Sequence, residues 1–320
     1  MGSVTRSQQN NITSPNGNSL AVFVEGLTGV MKVKDVMGNI QPLSDFINSS
    51  TLEGTQYSYV AGNGTPTENA TELQTAYNLA KTIVGLSATN RFKIIVGTGK
   101  YEFVGQFLID TQYIDFVSLT GDADVEFTNG INVTANNVFL KGLKTSNTTA
   151  FNIGNNLNLL VCDTCVGGNN SFGGNTFSMV TGTFNNCVGG NQSFGGNLAS
   201  GSSGTFNNCV AGSQSFGGTS TSATGIFNNC ESLGASFGHI NIASGTFNNC
   251  IGGNSCFGVV AIASGTFNNC VGGSNSFGGT GGTLTGKLFY CRLTSGTFQT
   301  VSSGGRTYYC VDGNGNPNNQ

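Results

Sequence analysis

The second half of the chain repeats one motif, Gly-Thr-Phe-Asn-Asn-Cys-Val-Gly-Gly, with little change. Its cysteine recurs every 19 to 22 residues, at Cys165, Cys187, Cys209, Cys230, Cys250, Cys270, Cys291 and Cys310. A phenylalanine follows seven residues after each of the first seven cysteines, at Phe172, Phe194, Phe216, Phe237, Phe257, Phe277 and Phe298. Because a fixed period of this length marks stacked repeats, the chain is predicted to form a solenoid.

The residue types of the repeat decide which solenoid this is. Gly, Ser, Thr, Asn and Phe dominate each unit, and strong helix formers are scarce. A unit of about 20 residues is long enough for one closed coil of two or three short strands, and stacked coils lie about 4.8 Å apart. Each position then lies on its counterpart in the next coil. We predict an all-β fold, a single-stranded parallel β-helix, with inward columns of Phe and Cys.

The asparagine pair of each unit separates two inward side chains by three residues, which breaks strict strand alternation. A bend must therefore fall on the pair, and Asn tolerates the left-handed backbone region better than other non-glycine residues. We predict stacked turns with hydrogen-bonded amides. The second asparagines of the pairs are Asn186, Asn208, Asn229, Asn249 and Asn269.

The chain has 10 cysteines, and their shared register predicts buried, reduced thiols that act as small apolar groups. Stacked side chains point the same way, which is poor geometry for a disulfide. Cys162 and Cys165 form a CxxC pair, but Cys162 lies where other units carry Phe. Zinc would need two further ligands, and His239 is the only histidine. We predict no metal site and no cofactor.

Composition excludes several classes of function. Only 8% of residues are charged, the net charge is −3 and the pI is about 5.1, which disfavours nucleic-acid binding. A membrane span needs about 18 consecutive apolar residues, and the chain has no such run. Residues 1–18 are polar and resemble no signal peptide.

The N-terminal region differs from the repeat. Residues 20–25, 30–36 and 40–43 are strand-like and are separated by glycine-containing turns. Such a small hairpin is marginally stable alone, so it needs a partner. That partner is the β-helix, another copy of the hairpin or a different protein. Residues 1–50 form this β-hairpin segment, a candidate for attachment and trimerisation, and residues 51–66 are predicted to be a linker.

Residues 67–85 read as the one convincing helix. Its apolar positions recur at helical spacing: Leu73, Ala76, Tyr77, Ala80 and Val84. Thr67 is the predicted N-cap and Gly85 the predicted end. A solenoid must cover its first coil, so this helix is predicted to be a cap. Residues 67–310 then comprise the cap and a β-helix of roughly ten coils, and residues 311–320 a polar tail.

The order of these features resembles a known class of proteins. A helix, the run Ile-Ile-Val-Gly-Thr-Gly-Lys-Tyr at 94–101 and the Thr-Phe-Asn-Asn-Cys units resemble right-handed parallel β-helix proteins of pectate-lyase-like shape. The hairpin segment is similar to N-terminal segments of tailed-phage structural proteins. The resemblance implies a tail-fibre or tailspike subunit, usually a homotrimer, made in the host cytoplasm and attached to other virion proteins by its N-terminal part.

Candidate catalytic residues are few. The densest acidic group is Asp122, Asp124 and Glu126, whose spacing of two predicts one side of a strand. Such a side binds Ca²⁺ or supplies an acid/base set, or it is an ordinary solvent-facing strand. Glu231 and His239 are the only acid and the only histidine between residues 164 and 286. No acid/base pair or triad stands out, so we predict that the protein is not an enzyme.

Three functional classes follow from these observations. The favoured one is a virion structural protein that recognises a host-surface glycan or protein. The first alternative is a tailspike that degrades polysaccharide. The second is an extracellular adhesin or ice-binding solenoid, suggested by a threonine row that breaks at Ile226. The threonines of that row are Thr183, Thr205, Thr246 and Thr266.

Overall fold

A computed structural model shows a β-solenoid of about nine turns with one helix near the N-terminus among the residues it describes, against the roughly ten coils predicted. It describes residues 21–24, 31–34, 40–42, 55–146, 150–154, 156–173, 179–195, 201–217, 222–238, 242–258, 262–278, 283–298 and 304–319. The parallel β-helix architecture is confirmed.

The N-terminal segment contains a three-stranded antiparallel sheet. Its strands are β1 (Ala21–Val24), β2 (Met31–Lys34) and β3 (Ile40–Pro42). Strand β2 lies in the middle and pairs with both neighbours. The strand-like runs predicted from the sequence therefore form strands, and the rest of residues 1–50 lies outside the described residues.

The first strand of the solenoid precedes the capping helix. Strand β4 (Thr55–Val60) pairs in parallel with β5 (Arg91–Val96) across the intervening helix. The prediction of a linker over 51–66 is wrong for this stretch. All six residues of β4 pair with residues of β5, and no local sequence pattern predicts this pairing.

Helix α1 (Pro66–Ala80) caps the first turns and packs against β4, β5 and β6 (Gly99–Tyr101). Its N-cap is Thr65 and not the predicted Thr67. The Glu68 N–H donates to Thr65 Oγ1 at 3.3 Å, and the Thr65 N–H donates to the Glu68 carboxylate at 2.8 Å, which forms a capping box. Leu73, Tyr77 and Ala80 are buried as predicted, but the helix ends at Ala80 and not at the predicted Gly85, and Val84 is exposed.

The longest sheet runs along the solenoid and is parallel throughout. Beyond β4 and β5 its strands are β8 (Ile114–Ser118), β11 (Phe139–Lys141), β14 (Val161–Asp163), β15 (Thr183–Asn185), β17 (Thr205–Asn207), β19 (Ile226–Asn228), β21 (Thr246–Asn248), β24 (Thr266–Asn268), β27 (Lys287–Phe289) and β29 (Arg306–Tyr308). On β15, β17, β19, β21 and β24 the Phe faces inward, while Asn and the residue before Phe, which is Thr except for Ile226, face outward.

Two further faces close each turn. The second face carries β6, β9 (Val125–Phe127), β12 (Leu143–Thr145), β16 (Val188–Gly189), β18 (Val210–Ala211), β20 (Glu231–Gly234), β22 (Ile251–Asn254), β25 (Val271–Gly272), β28 (Arg292–Leu293), β30 (Cys310–Val311) and β31 (Pro317–Asn318). The third face carries β7 (Phe107–Ile109), β10 (Ile131–Val133), β13 (Phe151–Ile153), β23 (Ile262–Ala263) and β26 (Thr283–Leu284). Single parallel bridges continue this face from Val180 through Ser202, Ala223 and Ala243 to Ala263 in β23.

Two columns of phenylalanine rings fill the core of the repeat. Phe227 stacks on Phe247 with ring centroids 4.9 Å apart, and Phe247 stacks on Phe267 at 4.8 Å. The second column, which contains Phe237, stacks at 4.8–4.9 Å from Phe172 to Phe277 and meets the first column edge to face. Phe298 ends that column loosely, 6.0 Å from Phe277 and tilted by 39°.

The C-terminus closes the last turn. Strand β31 pairs antiparallel with β30, so the prediction of a polar tail over 311–320 is wrong. Asn319 Oδ1 accepts from the Tyr309 N–H at 2.6 Å, and the Thr307 hydroxyl donates to Asn318 Oδ1 at 3.3 Å. These side chains bond to groups of the last described turn.

Candidate functional site

The predicted acidic group does not share one strand face. Only Glu126 lies in a strand, β9, while Asp122 and Asp124 lie in the bend before it. Asp124 accepts hydrogen bonds from the hydroxyls of Ser118 at 2.6 Å and Thr120 at 2.7 Å. The prediction that these acids share one side of a strand is therefore wrong, because the chain turns between residues 120 and 124.

The acids of this turn interact with neighbouring hydroxyl groups and lysines. Partial burial opposes ionisation of Asp124, but hydrogen bonds from Ser118, Thr120 and Thr98 outweigh it and lower its pKa. Glu126 lies between two lysines, 3.7 Å from Lys100 Nζ and 3.5 Å from Lys144 Nζ. Within the described residues, no three His, Cys, Asp or Glu side chains are arranged to hold a metal ion.

The other acid considered from the sequence, Glu231, is an exposed member of β20. It lies between Val210 and Ile251 in the register of the second face. This is the solvent-facing position occupied by aliphatic residues in neighbouring turns. His239 lies outside the described residues.

All ten cysteines are buried, and none forms a disulfide. Cys162 is in register with Phe184, as the sequence predicted. The ladder thiols donate to carbonyl oxygens of an earlier turn, as Cys230 does to Phe206 at 3.3 Å. Burial raises the pKa of Cys256 to about 12. A buried thiol with a raised pKa is a poor nucleophile, which applies to Cys256, and the burial of the other nine cysteines keeps them from reagents in solution.

A column of buried serines was missed from the sequence. A serine precedes the ladder phenylalanine in five units: Ser171, Ser193, Ser215, Ser236 and Ser276. Each hydroxyl can accept a backbone N–H from the preceding turn, as Ser215 does from Ser193 at 3.2 Å and Ser236 from Ser215 at 3.1 Å. Cys256 takes the serine position in one turn. The recurrent Ser-Phe dipeptide was the sequence pattern that could have predicted this column.

The asparagine pairs form two amide ladders on the outer surface. The first asparagines bond at 2.7–2.8 Å, as Asn228 does to Asn207, and the second bond at 3.0–3.3 Å, as Asn229 does to Asn208. The second asparagine of each pair has φ between 51° and 53°, the left-handed conformation predicted. Because each amide bonds to its neighbours, these rows present few free donors to a ligand.

The last two turns replace this ladder with aromatic rings. Phe289 and Tyr308 stack with centroids 4.9 Å apart, and Tyr290 and Tyr309 stack at 5.1 Å. Tyr290 is 61% exposed and Tyr309 67% exposed. We call these four residues the terminal aromatic corner. The corner was not predicted from the sequence, because the period of the repeat continues through these units.

Three cations surround the terminal aromatic corner. Lys287 precedes Phe289 by two residues, Arg306 precedes Tyr308 by two, and Arg292 lies just beyond Tyr290 on the second face. All three side chains are exposed, and none forms an ion pair within the described part of the chain. A shallow pocket beside them is lined by Thr307, Tyr308, Tyr309 and Asn319.

Comparison with known proteins adds no relative. No protein-family model, no curated protein and no solved structure matches the chain. Among the described residues, no helix has both the length and the apolar character needed to cross a membrane. Function is therefore inferred from the geometry of this chain.

Proposed function

We propose that this protein is a virion structural subunit of the fibre or spike type, a right-handed pectate-lyase-like β-helix that attaches through its N-terminal segment and recognises a host surface. One observation carries the proposal: the chain joins a self-supporting solenoid to a small separate sheet. That combination suits a rod that is held at one end and displayed along its length.

The small sheet supplies the argument for attachment. Its strands are only four, four and three residues long. A sheet of this size buries too little apolar surface to be stable alone in water. The solenoid does not share this need, because each of its turns buries the next. The sheet therefore acquires its stability from a partner, which we propose is a further copy of the chain together with another virion protein.

The surface of the repeat supports assembly as a homotrimer. Between residues 164 and 286 the sequence contains no Lys or Arg and only Glu231 as an acid. The second face exposes a row of aliphatic side chains that includes Val188, Val210 and Ile251. Side-by-side packing of such faces desolvates few charges, so its electrostatic cost is small.

Removal of residues 1–50 tests the proposal, since it deletes the small sheet and leaves β4 in place. The truncated protein should remain folded and soluble, and it should no longer join the particle. Light scattering should give a trimer for the full chain. A monomeric full chain would refute the trimer, and a truncated chain that still incorporates would refute the attachment role.

The two alternative functions have less support. Among the described residues, Asp124 already accepts hydrogen bonds from hydroxyls, and Glu126 forms ion pairs with two lysines. These interactions disfavour a role in polysaccharide cleavage. Release of reducing ends from host capsule or envelope glycan would reverse this preference. The threonine row that suggested ice binding has Ile226 in register between Thr205 and Thr246. Thermal hysteresis would favour that function instead.

A further inference from the structure

The terminal aromatic corner departs from the repeat at positions whose ordinary occupants are known. Lys287 and Arg306 lie in register with Thr266, and Phe289 and Tyr308 lie in register with Asn268. Tyr290 and Tyr309 follow at the position of Asn269. Mutually bonded amides are thus exchanged for rings, and threonine for cations, within two turns.

Backbone preference does not favour this exchange. Tyr290 and Tyr309 have φ of 54° and 55°, a left-handed conformation that Asn adopts readily and a bulky residue adopts at a cost. Both rings also leave most of their surface in water. The preceding turns show that the same backbone is satisfied by asparagine. Exposed aromatic residues that oppose the local preference are typical of a binding surface.

The cations beside the terminal aromatic corner also oppose the stability of the sheet. Lys287 and Arg306 are direct neighbours in register, and like charges placed opposite each other destabilise a sheet. Residues 232–320 contain one acid, Asp312, whose carboxylate accepts from the N–H groups of Asn314 and Asn316 at 2.9 and 2.8 Å. An anionic ligand would relieve the repulsion that this pair carries.

We infer that the terminal aromatic corner and its three cations bind an acidic carbohydrate, a sugar chain that carries carboxylate or sulfate groups. The apolar C–H face of a sugar ring can pack on an exposed tyrosine ring, which offers an apolar body with a polar tip. Arg292 and Arg306 present planar donor pairs that suit carboxylate and sulfate. One sugar ring can occupy the shallow pocket lined by Tyr308, Tyr309 and Asn319.

Nucleic acid is the less favoured occupant. A nucleic-acid site needs a broad basic face, whereas this chain has a net charge of −3 and gathers only three cations at this corner. The inference rests on the proposed recognition role, but it does not depend on how the N-terminal segment attaches. Binding is measured on the free protein and incorporation on particles, so each can fail without the other.

The test replaces the two exposed rings and two of the three cations with the residues of the preceding turns. The full-length variant carries Lys287→Thr, Tyr290→Asn, Arg306→Thr and Tyr309→Asn, and it should fold because those residues occupy the same register positions upstream. The single variant Arg306→Thr provides a milder change should the fourfold variant unfold. Thr246→Ala, on the same face in mid-solenoid, is the matched control.

The probes are immobilised uronate-, sialate- and sulfate-bearing oligosaccharides, neutral glucans of equal length and a single-stranded oligothymidylate. The parent and the control should bind members of the acidic set, more weakly at high salt. The fourfold variant should lose about tenfold or more in affinity, as removal of central aromatic and arginine contacts does. The inference is overturned by binding that survives the reversion, by no binding across the acidic set, or by binding confined to neutral glucan or oligothymidylate.

Discussion

The early turns and the repeat turns build the same stacked coil with different side chains. Before residue 164 the outward columns carry charges of alternating sign, as in Lys100, Glu126 and Lys144, which lie in register on β6, β9 and β12. After residue 164 the second face carries mainly Val and Ile in this column, and the longest sheet carries an outward column of asparagine. The two systems meet at Asp163, which pairs with Lys141 at 3.2 Å and accepts from the Asn186 amide at 3.1 Å.

The difference shows what repetition demands of a side chain. In a regular repeat each residue faces copies of itself about 4.8 Å away. A charged residue would then be repelled by its neighbours on both sides. Asn carries both a donor and an acceptor, so it can bond to its own copies, and Phe can stack on its own copies. The repeat is therefore poor in charge, while the irregular turns can use ion pairs.

The largest contrast is expected in thiol reactivity, because every cysteine lies between Cys162 and Cys310. Iodoacetamide should leave the native protein unmodified, since a buried thiol reacts only when its turn opens. Under denaturing conditions without reductant, mass spectrometry should count ten alkylated cysteines. Fewer than ten would reveal disulfides, and rapid native labelling would show that the repeat turns are not closed.

Next in size is the loss of one ring from a phenylalanine column. Phe247→Ala should lower the free energy of unfolding by about 3–5 kcal/mol, because it removes stacking on two neighbours and leaves a cavity. Ser244→Ala, at an exposed position of the same turn, should stay within about 0.5 kcal/mol. Denaturant melts of both variants give the comparison, and equal effects would refute the inward register.

A smaller loss is expected at the glycine column where the turns come closest. A Cβ on Gly245 would lie 2.2 Å from the Gly225 carbonyl oxygen of the previous turn. Gly245→Ala should therefore destabilise the fold by about 1–3 kcal/mol. Gly105→Ala in an early turn meets open space and is the control. The tight stacking of the repeat would be disproved by two variants that melt alike.

The smallest effect belongs to an ion pair of the early turns. Partial burial opposes ionisation of Asp110, but hydrogen bonds from Lys81, Tyr77 and Thr111 outweigh it and lower its pKa below 3.8. A carboxyl group whose pKa is lowered on folding stabilises the fold at pH values above 3.8. This contribution is lost as the pH falls through the lowered pKa. Asp110 is partly exposed, so about 0.2–1 kcal/mol is at stake.

Asp110→Asn should therefore reduce stability at pH 7 and flatten its fall below pH 4. The matched control is Thr246→Ala, which changes an uncharged position of the repeat and should leave the acid limb unchanged. Urea melts between pH 2.5 and 7 provide the measurement. An unchanged acid limb in Asp110→Asn would assign the pH dependence to other carboxyls.

Local patterns predicted more of the repeat than of its ends. The left-handed turns at Asn208 and Asn229 followed from spacing alone, and so did the burial of Cys209. The N-cap was misplaced by two residues, although Pro66 directly after Thr65 and Glu68 three residues after it form the pattern of a helix start. The terminal aromatic corner was overlooked since the period continues through it while the chemistry changes.

The sequence by itself determined the solenoid, the inward columns of Phe and Cys and the bends at asparagine, because the period of a repeat shows which residues stack on one another in adjacent turns. Only the tertiary structure decided how the irregular parts pair. Strand β4 finds β5 across an entire helix, and β31 turns back on β30 to close the last turn. Glu126 meets Lys100 and Lys144 from turns of unequal length. Such contacts depend on where a closed coil brings distant residues, and no local spacing encodes that.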